Sequence, residues 1–324
     1  MNHLTIWTNG VFSLEATRML EDALHAHRLI FSKFSNASVL AVGQSDPDLA
    51  AADVAFGQPD PQDCLNNPRL KWVEVTTAGY TRYDTPQFLG AFEKRGSVFT
   101  NACGVFADPC AQHLLAMMLA LGRQLLPSFA DQLRDHSWHY AQRRYDSRLL
   151  TGQTVLMLGF GAIGRRLAEF LAPFGMRVIA VRRSGRPEEG VQMISHAELY
   201  HFLPQADHIV NILPAHASTE RFVDGAFLAA CRSDARFYNV GRGSTVDQAA
   251  LVEALRENRL GAAYLDVMDP EPLPVEHELW TTPNCYITPH TAGGRHDQDE
   301  TLVRHFLENL DAYQNGKPMR DRVV

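Results

Sequence analysis

Short apolar runs recur along the first hundred positions of the chain, separated by stretches in which apolar residues return with a helical period. "LTIW", "SVLAVG", "DVAFG", "KWVEVT" and "SVFTN" have the length and the β-branched or aromatic content of strands, and "ATRMLEDALHAH" reads as an intervening helix. Strands alternating with helices predict an α/β layer structure. The run "PCAQHLLAMMLALGRQLL" from Pro109 is strongly apolar and predicts a buried helix, with Asp108 as its N-cap and the proline in the first turn. Its 18 residues include His, Gln and Arg, too polar and too short a run to predict a membrane span.

The rhythm then breaks. "DQLRDHSWHYAQRRYDSRLLTGQ" is polar and rich in aromatics and arginines, and predicts a connecting arm near 127–150. From Thr154 the alternation restarts more regularly: strand "TVLMLG", helix "AIGRRLAEFLAPF", strands "RVIAV" and "HIVNIL", helix "GAFLAACR", strand "ARFYNV", helix "QAALVEALREN" and strand "AAYLDV".

Composition narrows the class. A chain of 324 residues exceeds the usual single core, so two domains are expected. With 45% hydrophobic and 21% charged residues it reads as a globular protein. A formal charge of -7 argues against a nucleic-acid partner, which would select excess Lys and Arg. Cys64, Cys103, Cys110, Cys231 and Cys285 are scattered, odd in number and without a Cys-x-x-Cys pair, as expected for reduced thiols in the cytoplasm. "MNHLTIWTNG" lacks a basic segment followed by a long apolar run, so no export signal is expected. The fourteen histidines show no ligand-spaced cluster, and no metal site is expected.

Candidate chemistry begins at "GFGAIG", which follows an apolar strand and opens an amphipathic helix. Gly159 would permit the tight turn, Gly161 the approach of a pyrophosphate, and Gly164 close packing of helix on strand. The amides around Ala162 and Ile163 would face the phosphates. About twenty residues further on, a dinucleotide fold places the residue that selects the ribose. Here stand Arg182, Arg183 and Ser184 in place of an acid. A carboxylate would accept from a 2'-hydroxyl but repel a 2'-phosphate, which guanidinium groups hold well. NADP(H) is therefore expected in preference to NAD(H).

Downstream, "NVGRGSTVD", "LDVMDPEPLP" and "ITPHTAGG" place Arg242, Glu271 and His290 in loops beyond expected strand ends, where open α/β sheets bind ligands. Singly, each admits a plainer role: a surface arginine, a solvated glutamate, a core histidine. Together with "GFGAIG", "LW" and "PN", and in this order from Gly159 to Gly294, they resemble the D-isomer-specific 2-hydroxyacid dehydrogenases. "TTAGYTRYD" and "TNACGVFADPCAQHLLAMML" extend the resemblance more loosely into the first domain. Met268 stands where such proteins often carry an aromatic residue, a departure expected to affect packing more than chemistry.

The resemblance implies roles at the matching positions. His290 would be the acid/base, Glu271 its carboxylate partner, and Arg242 the holder of the substrate carboxylate, which also polarises the keto oxygen. Ala78 and Gly79 match a loop whose amides receive the substrate carboxylate. Leu213, Pro214, Val240 and Asp266 match the nicotinamide half of the cofactor site; for Asp266 a strand-terminal cap is the alternative. Trp138 matches a tryptophan that in relatives reaches the neighbouring subunit's pocket, and simple interface packing is its alternative. Phe106 and Tyr80 are further candidates for the pocket wall.

The resemblance also implies an architecture: a Rossmann-type dinucleotide-binding domain, residues 101–292, inserted into a flavodoxin-like substrate domain formed by 1–100 and 293–324. Substrate would bind in the cleft between them, and "TLVRHFLENLDAYQNG" would be the helix that returns to the first domain. The expected activity is reduction of a small 2-oxo acid such as glyoxylate or hydroxypyruvate by NADPH, in a cytoplasmic homodimer with no nucleic-acid or membrane partner. An NADP(H)-sensing binding protein or co-repressor on the same fold is the alternative; formate or phosphite oxidation fits less well, because neither substrate carries a carboxylate beside a carbonyl.

Overall fold

The computed structural model describes residues 3–36, 44–182 and 187–324. Packing divides the chain into two units, Met1–Phe106 with Arg295–Val324, and Ala107–Gly294.

The first unit is built on five parallel strands: β1 (Thr5–Gly10), β2 (Arg28–Asn36), β3 (Val54–Gly57), β4 (Trp72–Val75) and β5 (Val98–Thr100). Their order β2-β1-β3-β4-β5 is that of flavodoxin-like sheets. Because successive side chains point to opposite faces, one set (Ile6, Val54, Phe56, Trp72) packs under the helices Leu14–Ala23 and Gln298–Gln314, through Leu20, Phe306 and Leu310. The other set (Trp7, Ala55, Val73, Val75) meets Phe88 and Phe92 of the helix Pro86–Arg95. The expected strand "SVLAVG" lies outside the described residues, and the second described strand is the earlier "RLIFSKFSN", which the hydrophobic pattern does not single out.

The second unit holds seven parallel strands: β6 (Thr154–Leu158), β7 (Arg177–Val181), β8 (Val191–Ile194), β9 (His208–Asn211), β10 (Arg236–Asn239), β11 (Ala262–Leu265) and β12 (Cys285–Ile287). The order is β12-β11-β10-β9-β6-β7-β8, a Rossmann arrangement whose direction of growth reverses between β6 and β9. β6, β9 and β11 are buried along their whole length, as strands covered on both faces must be. The connections at the β6–β9 reversal are "GFGAIG" and the Leu213 loop, which therefore sit at the crevice where such sheets bind ligands.

The long apolar helix starts earlier than Asp108. It runs Cys103–Gly122 with Pro109 inside it, and its start is held by Asn101 Oδ1, which accepts from the Cys103 N–H (3.1 Å), and by Asp321, which accepts from the Gly104 N–H (2.7 Å). Asp108 is not a cap; it pairs with Arg166. The helix has the length and apolar composition of a membrane span, but Cys110, Ala111, Leu114, Met118 and Leu121 form a buried stripe at helical spacing, as in a core helix. The arm that follows contains two helices, Leu125–Arg134 and Tyr140–Asp146, tied at Asp131 to Arg134, His139 and Arg143.

Candidate active site

Each glycine of the phosphate loop has its own geometry. Gly159 has φ +89°, and its N–H donates to the Val181 carbonyl at 2.9 Å; a side chain there would be strained and would meet the Ile212 carbonyl at 3.3 Å. Gly164 is packed so that a Cβ would touch the Phe160 ring at 3.0 Å. At Gly161 a Cβ would meet nothing within 4 Å. That open space lies at the start of the helix Ala162–Leu171, whose N-cap is Gly161 and which receives no side-chain cap. Helix-terminal amides without a side-chain acceptor, beside a glycine with open space, fit the pyrophosphate of a dinucleotide.

At the end of β7 the Arg182 guanidinium, whose side chain is only 12% exposed, donates to Glu188 Oε1 at 2.8 Å, and Arg165 Nη1 stands 3.7 Å from the same oxygen. The Arg182 charge is thus met by an acid six residues later, which the strand end alone does not reveal. Arg183 and Ser184 lie outside the described residues.

Arg242 is placed by a buried amide network. Asn211 Nδ2 donates to Asn239 Oδ1 (3.1 Å) and to Thr245 Oγ1 (2.7 Å), the Gly241 N–H donates to Asn239 Oδ1 (3.1 Å), and Thr245 Oγ1 donates to the Arg242 carbonyl (2.6 Å). The flanking glycines let three loops converge. A Cβ at Gly241 would fall 2.6 Å from the Leu213 carbonyl oxygen, and one at Gly243 would fall 2.0 Å from the Met268 carbonyl. Burial lowers the guanidinium pKa while the charge of Glu271 opposes it, so the two side chains share one electrostatic environment.

Glu271 Oε2 lies 2.7 Å from His290 Nδ1, and its other oxygen accepts from the Met268 N–H at 2.9 Å. Met268 is itself buried against the sheet core and anchors this turn. Burial alone would raise the Glu271 pKa, but the bonds from His290 and Met268, with the charges of His290 and Arg242, outweigh it and hold the carboxyl below its usual range. With Nδ1 committed to the carboxylate, His290 Nε2 has no hydrogen-bond partner among the described residues.

Asp266 serves the same loop. Only 2% exposed, its carboxylate accepts from Thr288 Oγ1 (2.6 Å) and from the Thr291 and Ala292 N–H groups (2.8 and 3.0 Å), which is the capping alternative for this residue. Leu213 N–H is held by Asn211 Oδ1 and Val240 N–H by the Asn211 carbonyl, and Pro214 is exposed at the end of β9. Ala78 and Gly79 follow β4 in the other unit. Their carbonyls accept from Asn101 Nδ2 (3.0 Å) and Thr77 Oγ1 (2.7 Å), while their N–H groups bond to no described residue. Trp138 is exposed on the arm.

This arrangement has relatives. The family model for the NAD binding domain of D-isomer specific 2-hydroxyacid dehydrogenases matches residues 115–292, more than half of the chain. An uncharacterised protein of Corynebacterium melassecola is 34% identical over 287 residues, 85% of this chain and 90% of that one. The glyoxylate reductase/hydroxypyruvate reductase of Homo sapiens is 32% identical over 237 residues, 71% of each chain. Among solved structures, a D-isomer specific 2-hydroxyacid dehydrogenase from Xanthobacter autotrophicus Py2, in complex with NADPH and MES, superposes with TM-score 0.80 at 26% identity, over 100% of this chain and 98% of that one. With the phosphate loop at the sheet's reversal and the Glu271–His290 pair beyond its strand ends, the chain belongs to the D-isomer specific 2-hydroxyacid dehydrogenases, oxidoreductases that work with a nicotinamide cofactor.

Proposed function

We propose that this protein reduces a small 2-oxo acid of the glyoxylate or hydroxypyruvate type to the D-2-hydroxy acid, with NADPH preferred over NADH. The observation that carries the reading is the 2.7 Å contact between Glu271 Oε2 and His290 Nδ1. A carboxylate at Nδ1 holds the ring in place and fixes the tautomer, so the proton available for transfer sits on Nε2. His290 gives that proton to the carbonyl oxygen during reduction and takes it back in the reverse direction. Arg242 holds the substrate carboxylate with its planar donor fork and draws electron density onto the keto oxygen. The N–H groups of Ala78 and Gly79 take part in carboxylate recognition.

The cofactor would be held by the amides of Ala162, Ile163 and Gly164 beside Gly159 and Gly161, with Leu213, Pro214 and Val240 along its nicotinamide half. When bound, the nicotinamide supplies the hydride for the carbonyl carbon. Preference for the 2'-phosphate rests on Arg183 and Ser184 more than on Arg182, whose charge is shared with Glu188. The Xanthobacter relative's NADPH complex supports a nicotinamide cofactor at this site. The Glu188 carboxylate beside Arg182 makes the ratio of the two cofactors the informative quantity.

Steady-state rates with NADPH and NADH on glyoxylate, hydroxypyruvate and pyruvate test the reading. Turnover with a higher kcat/KM for NADPH is expected, with the ratio falling in Arg183→Ala. Equal or better catalysis with NADH overturns the cofactor assignment. NADPH binding without turnover on any 2-oxo acid overturns the reaction and favours a nucleotide sensor.

A further inference from the structure

Tyr264 and Asp266 stand two residues apart on β11 and its extension, so their side chains leave the strand on one face, and both reach Thr288, the residue after β12. Thr288 Oγ1 is 2.6 Å from Tyr264 Oη and 2.6 Å from Asp266 Oδ1. A threonine hydroxyl has one proton, and the carboxylate can only accept it, so the phenol must donate in turn to Thr288. The result is a directed chain: Tyr264 O–H to Thr288 O–H to the Asp266 carboxylate. Its outer end cannot turn to water, since Tyr264 is wholly buried and its ring stacks on His113 with centroids 5.5 Å apart.

The inner end of the chain controls the backbone around His290. Asp266 receives the Thr291 and Ala292 N–H groups on its carboxylate and the His290 N–H on its carbonyl at 2.8 Å. His290 is held at φ +55°, in the left-handed region that few residues other than glycine occupy. Residues 288–292 are thus wrapped around one aspartate, and the aspartate's charge is oriented by two hydroxyls in series.

We propose that Tyr264 and Thr288 are positioning residues, holding Asp266 and through it the His290 loop in the conformation from which His290 exchanges its proton. The catalytic consequence rests on the reading of His290 as the acid/base given above; the conformational consequence does not. Two hydroxyls in series act as one unit, so removing the second after the first has little left to remove.

The test uses Tyr264→Phe and Thr288→Val, which remove one oxygen each and keep the shape, their double variant, and Thr288→Ser, which restores the hydroxyl. Measurements are kcat with glyoxylate, the NADPH dissociation constant, and the imidazole 15N–1H signals of cofactor-free, histidine-labelled protein, with His290 assigned by loss of its peak in His290→Gln. Thr288→Val should lower kcat about tenfold, the worth of one lost bond to a charged acceptor, and leave the dissociation constant unchanged. Tyr264→Phe should do the same more weakly, the double variant should match Thr288→Val, and Thr288→Ser should recover most of the rate. The His290 signal should shift or split in Tyr264→Phe and Thr288→Val and return in Thr288→Ser. An unmoved His290 signal, or losses that multiply in the double variant, overturns the proposal. Absence of wild-type turnover would instead remove the 2-oxo-acid reading, while the His290 signal would still decide the positioning role.

Discussion

Glu271 meets His290 at 2.7 Å across nineteen residues of chain, and the carboxylate is pinned from behind by the Met268 N–H. Replacing it with Gln keeps the size and one hydrogen-bonding oxygen but removes the carboxylate charge beside the imidazole. Glu271→Gln is expected to lower reductive turnover about a hundredfold, within the range typical of acid–base catalysis. Because the Glu271 pKa is lowered in the fold, its contribution to stability is present above the ordinary carboxyl value of 4.5 and lost as pH falls through the lower folded value. Glu271→Gln should therefore flatten the acid limb of the unfolding curve. Steady-state rates and urea midpoints between pH 3 and 7 check both.

Two glycine-to-alanine substitutions should fail for opposite reasons. At Gly243 the new Cβ falls 2.0 Å from the Met268 carbonyl, and backbone cannot swing aside as a side-chain tip would. Gly243→Ala should cost about 3 kcal/mol of stability and displace the loops of Arg242 and Glu271 together. At Gly161 the Cβ enters open space, so Gly161→Ala should leave the urea midpoint unchanged while weakening NADPH binding by at least tenfold. Denaturant curves and fluorescence titration separate the two; a stable Gly243→Ala or a tight-binding Gly161→Ala would contradict the geometry.

These contrasts show which parts of the fold were legible along the chain. "GFGAIG" could be read because strand, turn and helix are local and Gly164 packs on Phe160 four residues away, although Gly159 also meets the distant Val181 and Ile212. Arg242, Glu271 and His290 were named from their loops, yet nothing local explains the glycines beside Arg242, which are required by the backbone at Leu213 and Met268. Asp266 reads along the chain as either a cofactor contact or a strand-terminal cap, because the donors it caps come from residues 288–292, out of local reach. β8 went unread: "VQMI" is four residues long, at the sheet edge, with only Ile194 buried. The start of the long helix was misplaced because Asp108 and Pro109 imitate a cap and first turn, whereas Asn101 and the distant Asp321 do the capping.

His305 and Glu74, 231 positions apart, meet at 3.0 Å in the first unit's interior, with Asp321 3.0 Å from the other ring nitrogen. Burial would lower the histidine's pKa, but the bonds to Asp321 and Glu74 and their charges raise it from 6.5 to about 9. A raised pKa stabilises the fold fully below pH 6.5, and that contribution is lost as pH rises through about 9. The shift corresponds to roughly 3 kcal/mol. Thermal unfolding should therefore show a fall in Tm between pH 7 and 10 that His305→Gln lacks. His305→Leu, which removes the cation between the buried Glu74 and the partly buried Asp321, should be less stable at pH 7 by about 3 kcal/mol. A wild-type Tm flat to pH 10 would mean that the histidine is neutral.

The arm carries apolar side chains that one chain alone does not cover. Leu125, Phe129 and Leu133 recur at four-residue spacing on the helix Leu125–Arg134, and Leu133, Trp138 and Tyr145 are 86%, 89% and 84% exposed. Exposed apolar side chains grouped on one arm are what a subunit interface would cover, and a homodimer would pair them with their own copies about a two-fold axis. Sedimentation velocity should give twice the chain mass for the wild type. Leu133→Asp with Phe129→Ser should shift it to the single-chain mass, since burying a carboxylate against an apolar partner costs several kcal/mol. Circular dichroism should be unchanged, because neither side chain contributes to the unit's own core. If Trp138 also reaches the partner's substrate pocket, Trp138→Ala should raise KM for the 2-oxo acid while leaving the dimer intact; an unchanged KM confines Trp138 to packing, and a wild type that sediments as a single chain removes the interface altogether.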